Sequence, residues 1–299
     1  MPTIDAVMER VDLWRGRDPV ATELSGGLTN ANYVVTAGED RYVVRIPGAS
    51  TELLAVDREN ERHNAAAAAT TGVSPPILAY LDDWQVMVLP FIDGETMSPE
   101  RLREPRMPAR IAESLHRLHA APRFTADFDM FRTVEYYLRI VEDHDVLVPD
   151  GYWDRLDTVA GLEPVLAVNA LPHVPCHNDL LAENYIDDGS QLWIIDFEYS
   201  GNDDPCFELG DTAQECSFDD ELRAALCQAY FGELDPVKLA RMELYALMAD
   251  VGWTLWAAIQ SKISDIEFDF FGWAIERWDR AEAVIGGPRF AELQRAAAS

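Results

Sequence analysis

Basic residues are scarce in this chain of 299: 24 Lys and Arg stand against 53 Asp and Glu, a formal charge of −29. Such a surface repels the phosphate backbone of nucleic acid and favours a cationic partner. Cysteine is scarce too. Cys176, Cys206, Cys216 and Cys227 show no C-x-x-C spacing, which argues against a disulfide frame or a zinc site and leaves reduced packing residues. The longest apolar stretches, around Val86–Ile92 and Met248–Ile259, are too short or too interrupted to span a bilayer, so no membrane segment is expected. The opening Met1-Pro2-Thr3-Ile4-Asp5 lacks a basic region followed by an apolar core, and the expected address is the cytoplasm. There is no repeat, and the alanine run Ala65–Ala69 reads as helix by propensity. Of the six histidines, His116 and His119 have helical i, i+3 spacing but no obvious third metal ligand.

What is present is a hydrophobic fraction of 48%, enough for a sizeable core in one large domain or two lobes. After a short helical start, Ala21–Val35 and Arg41–Ile46 read as two strands of a hairpin closed by Ala37-Gly38-Glu39-Asp40. Leu53–Thr70 reads as a helix that ends at Gly72-Val73-Ser74-Pro75-Pro76, and Ile77–Leu81 and Gln85–Phe91 as a further strand pair around Asp82-Asp83. From about Ser98 the pattern turns to long amphipathic segments: Ala109–Ala120, Val134–Asp143, Asp219–Phe231, Pro236–Ser261 and Phe268–Ile285. Gln191–Ile195 is a short strand set among them. The expectation is an α+β chain with a small β-rich lobe over residues 1–93 and a larger helical lobe over 94–299, joined near Ile92-Asp93-Gly94 with a cleft between.

The acidic excess is concentrated, with twelve Asp or Glu and no Lys or Arg from Asp187 to Glu221. A solvated surface is the ordinary reading of such a run. Here it adjoins His177-Asn178-Asp179-Leu180-Leu181-Ala182-Glu183-Asn184 and contains Ile194-Ile195-Asp196-Phe197-Glu198. Phosphoryl transfer needs a carboxylate at the attacking hydroxyl and oxygen ligands for the magnesium that bridges the phosphates. Asp179 followed five residues later by Asn184 has the catalytic-loop spacing of protein kinases, and Asp196, at a strand end, supplies a further metal ligand. Each piece alone is as readily a turn or cap. The ordered set points to a kinase.

From about Leu24 to Trp278 the sequence resembles the choline/ethanolamine kinase family, which shares its two-lobed protein-kinase-like fold with aminoglycoside phosphotransferases. The resemblance implies a phosphate-covering loop at Leu24-Ser25-Gly26-Gly27-Leu28-Thr29-Asn30, so that Ser25, Gly26, Gly27, Thr29 and Asn30 meet ATP through backbone and side chain. It places Arg45 where protein kinases put a strand lysine, clamping phosphates, with Glu61 as its helix partner and Glu59 as second choice. It places Leu89, Phe91 and Ile92 at the adenine hinge, and gives His177 a supporting role in its loop.

The segment Trp253-Thr254-Leu255-Trp256-Ala257-Ala258-Ile259-Gln260-Ser261-Lys262-Ile263-Ser264-Asp265-Ile266-Glu267-Phe268 is similar to the choline kinase stretch that builds a quaternary-ammonium pocket. Trp253 and Trp256 share a helix face, Trp273 adds a third aromatic and Glu215 a carboxylate, a set suited to a cation without N–H donors. Glu208 stands where the family commonly has aspartate, Asp211 where animal choline kinases differ, and Gly201–Pro205 looks like bacterial relatives. The function implied is transfer from Mg-ATP to choline, giving phosphocholine and ADP. Ethanolamine, another amino alcohol or an aminoglycoside is the alternative acceptor, and a catalytically silent choline- or nucleotide-binding protein is the alternative of another class.

Overall fold

The computed structural model describes residues 2–24, 27–48 and 51–299. Helix α1 (Ile4–Arg10) leads into a sheet of β1 (Val20–Leu24), β2 (Asn30–Ala37) and β3 (Asp40–Pro47). Helix α2 (Arg58–Ala69) crosses to β4 (Ala79–Leu81) and β5 (Val86–Pro90). All neighbours are antiparallel, in the order β1-β2-β3-β5-β4. The single strand expected over Ala21–Val35 is therefore two. Gly27 accounts for part of that reversal: a Cβ there would stand 2.3 Å from the Asn30 carbonyl oxygen, so only glycine allows the approach. The expected helix from Leu53 starts later, because Ala55 takes a positive φ of 60° and the Asp57 side chain caps the N–H groups of Glu59 and Asn60.

Phe91 to Gly94 carry the chain to β6 (Glu95–Thr96), followed by α3 (Pro99–Leu102), α4 (Met107–His119), α5 (Met130–Asp143), α6 (Leu156–Ala160) and α7 (Leu162–Ala167). Four short strands follow: β7 (Val174–Cys176), β8 (Tyr185–Asp187), β9 (Leu192–Ile194) and β10 (Gly201–Asp203). They form a β6-β8-β9 sheet and a β7-β10 pair, and so bring residues 177–184 and 195–200 to one edge. Five helices complete the chain: α8 (Pro205–Glu215), α9 (Asp220–Phe231), α10 (Pro236–Ile263), α11 (Phe270–Ile285) and α12 (Phe290–Ala297). This is the β-sheet region and helical part expected from the sequence.

Helix α10 is apolar nearly all round and buried from Ala240 to Gln260 except at Glu243 and Tyr245, as a helix at the centre of a core must be. It packs on α8 so closely that a Cβ on Gly210 would meet the Met242 carbonyl oxygen at 2.3 Å. Among the described residues no helix is long and apolar enough to cross a membrane.

Candidate active site

The loop after β7 is gripped from below by α8. Glu208 accepts the backbone N–H of His177 at 2.9 Å and of Asn178 at 2.7 Å, and Asp211 accepts that of Leu180 at 2.9 Å. Asn178 takes a positive φ of 67°, a conformation asparagine tolerates better than most residues. Buried His177 has its pKa lowered by loss of hydration. Its Nε2 lies 2.8 Å from the Ile195 carbonyl oxygen, and its Nδ1 accepts the Asp179 N–H at 3.3 Å. With both ring nitrogens occupied, His177 braces the loop and has no atom left to take a proton. Asn184 donates its amide to the Asp179 carbonyl at 2.8 Å, which leaves its oxygen as the atom to offer a metal. Loss of hydration, reinforced by Asp211, Asp196, Glu215 and Glu198, pushes the half-buried Asp179 carboxyl well above the ordinary carboxylate range.

Opposite the loop lies a cluster of five charges. Arg45 of β3 meets Glu61 of α2, Asp196 at 2.7 Å and Glu198. Arg58 meets Glu61 at 2.8 Å and also reaches Glu198. The helix partner of Arg45 is Glu61; Glu59 is 63% exposed and lies beside His63. Glu198 also accepts from Thr29 Oγ1 at 2.8 Å and Asn30 Nδ2 at 2.6 Å. Burial alone would raise its carboxyl, but Arg45 and Arg58 outweigh burial and hold the pKa down to about 2. Glu198→Gln should therefore cost about 2 kcal/mol of stability at neutral pH, since buried guanidinium groups lose a charged acceptor. A depressed folded pKa makes this contribution present above the ordinary 4.5 and lost as pH falls toward about 2. Denaturant titrations of both proteins from pH 7 down to 3 should show the gap narrowing; a gap that stays constant would mean that Glu198 acts by shape alone.

On the far side of Asp179 the aromatic residues gather. Trp253 and Trp256 of α10 are buried; the first donates its indole N–H to Asp211 at 3.0 Å and the second to the Tyr199 hydroxyl at 2.6 Å. Tyr199 meets Trp253 edge-on at 5.0 Å, and Trp256 meets Trp273 at 5.6 Å. A face of Trp273 carries the guanidinium of Arg277, 3.3 Å from the ring centroid. Arg277 also binds Glu215, and Arg280 reaches the other Glu215 oxygen at 3.1 Å. Glu215 is thus a carboxylate already paired twice, as burial demands.

Residues 20–245 match the sequence profile of the phosphotransferase enzyme family. A choline/ethanolamine kinase family protein from Mesorhizobium loti is 36% identical, covers 98% of this chain with 97% of its own, and superposes with a TM-score of 0.86. The chain belongs to the phosphotransferase enzyme family, in its choline/ethanolamine kinase branch. Choline kinase LicA from Streptococcus pneumoniae is 25% identical over 88% of this chain and 91% of its own, with a TM-score of 0.77. Ethanolamine kinase 1 from Mus musculus is 27% identical over 89% of this chain and 84% of its own. The protein is a small-molecule alcohol phosphotransferase.

In this phosphotransferase Leu89, Phe91 and Ile92 are half-buried where the sheet gives way to β6; Leu89 faces Val43, and Phe91 donates to the Arg41 carbonyl at 3.0 Å. Thr29, Asn30 and Gly27 lie at the base of the turn between β1 and β2, and Ser25 and Gly26 fall outside the described residues. Sequence reasoning gave no role to Glu198, Tyr199, Arg58, Arg277 or Arg280. A local signal existed for the first two, which directly follow Asp196-Phe197.

Proposed function

We propose that this phosphotransferase moves the γ-phosphoryl group of ATP to the hydroxyl of choline, giving phosphocholine and ADP. The observation that carries the choice of acceptor is the ring cluster of Tyr199, Trp253 and Trp256 on one side of Asp179, beside a Glu215 whose oxygens are both taken. Choline's methyl groups need aromatic faces and no hydrogen-bond acceptor, whereas a primary ammonium brings three N–H donors that want free oxygens.

Asp179 takes the hydroxyl proton as the oxygen attacks the γ-phosphorus and the bond to the β-phosphate oxygen breaks. Asn184 and Asp196 offer oxygen donors, and the Asp196 side chain is 34% exposed, a fit to a hard cation. Magnesium held there would neutralise charge on the β- and γ-phosphates. Arg45 lies beside Asp196 and has guanidinium donors suited to phosphate oxygens. Thr29, Asn30 and the loop containing Ser25, Gly26 and Gly27 would cover the phosphates, with adenine against Leu89, Phe91 and Ile92.

Two or three cation–π contacts at about 0.5–2 kcal/mol each sum to about 1–6 kcal/mol, and so favour choline over ethanolamine by at least about fivefold in kcat/KM. Trp253→Ala should raise the KM for choline by roughly two- to thirtyfold and leave that for ATP within about twofold, because one such ring face is lost from the acceptor pocket. ADP release measured with choline, ethanolamine and uncharged 3,3-dimethylbutanol decides it. Preference for ethanolamine would overturn the acceptor, and equal use of the isostere would show a pocket that reads shape rather than charge.

A further inference from the structure

We propose that Arg280 sets the head-group preference of the acceptor pocket, by occupying the Glu215 oxygen that a primary ammonium would otherwise use. The inference rests on the acceptor reading above, and adds a residue whose described hydrogen bonds go to neither the rings nor the loop of Asp179.

Glu215 has two oxygens and two arginines. Arg277 takes Oε2, is 2% exposed and sits over the Trp273 ring, so it is part of the pocket wall. Arg280 takes Oε1 at 3.1 Å and is only partly buried. A second anchor fixes its guanidinium: Nε donates to Asp250 Oδ1 at 3.0 Å, and Nη2 bonds the same oxygen. Asp250 is itself held by Gln214, which accepts from Arg223 at 2.5 Å. Asp250 lies three residues before Trp253 on α10, on the same helix face. Arg280 of α11 therefore ties together α8, which carries Glu215, and α10, which carries the tryptophans.

The electrostatic result is that the two carboxyls on this stretch of wall, Glu215 and Asp250, are both matched by guanidinium groups. Glu215 and Asp250 face Arg277 and Arg280, two charges against two when all are ionised. Burial pushes the Asp250 pKa up to about 7 against the pull of Arg280, which lowers the negative side further. A trimethylammonium group loses little in such a wall, because the rings supply its attraction. A primary ammonium finds the carboxylate oxygens already accepting, and enters with N–H donors unmet. Removing the Arg280 charge frees Oε1 and returns one net negative charge to the wall.

The test is steady-state ADP release with choline and with ethanolamine for wild type, Arg280→Gln, Arg280→Lys and the double variant Arg280→Gln/Asp250→Asn. Arg280→Gln should raise the ethanolamine-to-choline ratio of kcat/KM by about tenfold, the worth of one charge-assisted hydrogen bond, through the ethanolamine KM, with the KM for ATP unchanged. Arg280→Lys, which keeps the charge, should hold the wild-type ratio. The double variant leaves no stranded Asp250 charge, and it decides the matter if the single variant does not fold. An unchanged ratio in an active Arg280→Gln or double variant overturns the role of Arg280 and leaves the acceptor reading standing. A wild type that turns over neither amino alcohol overturns the acceptor reading and this inference with it.

Discussion

Asp179→Asn should lower kcat by at least about 10²-fold while nucleotide binding stays within about twofold of wild type. Asparagine keeps the shape of the side chain and leaves the backbone bonds of residue 179 to His177 and Asn184 intact. What it removes is the carboxylate proposed as the base, and His177 cannot stand in for it, since both of its nitrogens are engaged. The pH profile sharpens the test. Lost hydration and the neighbouring Asp211, Asp196, Glu215 and Glu198 raise the Asp179 pKa, and a general base works only when unprotonated. The acid limb of kcat/KM in wild type should therefore lie above the ordinary carboxylate range, with activity falling as pH falls through it. The variant should lack that limb. Turnover close to wild type would remove Asp179 from the chemistry.

Asp196→Ala should reduce turnover by at least about 10³-fold, because a carboxylate that places a phosphate-bound cation acts on positioning and on charge together. The substitution needs a companion, since residue 196 sits at a positive φ of 73°, where alanine carries a backbone penalty that asparagine tolerates better. Asp196→Asn keeps the conformation and an oxygen donor, and loses the charge that Arg45 meets at 2.7 Å. It should retain the fold and raise the magnesium concentration needed for half-maximal ADP release. If a folded Asp196→Ala protein regained full activity with added magnesium, Asp196 would be peripheral.

Much of this site can be read from the sequence because its parts are local. Asp179 and Asn184 share one loop whose spacing is set by the turn, and Trp253 and Trp256 are one helical turn apart. The charge partners of the buried carboxylates around them were not legible, because they are distant along the chain. Glu198 meets Arg58 across 140 residues, and Glu215 meets Arg277 and Arg280 across 62 and 65. Nothing in periodicity or motif says which arginine a buried carboxylate will find. The expectation of Glu215 as the cation's counter-charge was incomplete for that reason: it took account of the carboxylate and not of the two guanidinium groups that burial requires. Periodicity alone runs one strand from Ala21 to Val35, although the resemblance puts a loop at Leu24–Asn30, and this has a different cause. Alternation continues on both sides of the turn, and the close approach at Gly27 that permits the reversal appears only in three dimensions.

Asp211 holds the Leu180 N–H of the catalytic loop with one oxygen and the Trp253 indole with the other. A change on α10 that moves Trp253 therefore reaches the loop that carries Asp179, the proposed proton acceptor, through a single carboxyl. Helix α11 has no such direct link among the described hydrogen bonds: Arg277 and Arg280 bind Glu215 of α8 and Asp250 of α10, and neither they nor Trp273 bond the loop itself. Heritable change in acceptor diet has an inexpensive route through α11, where a new head-group preference can be tried while the reaction machinery is left in place, and a costly one through α10, where each trial is also a trial of catalysis.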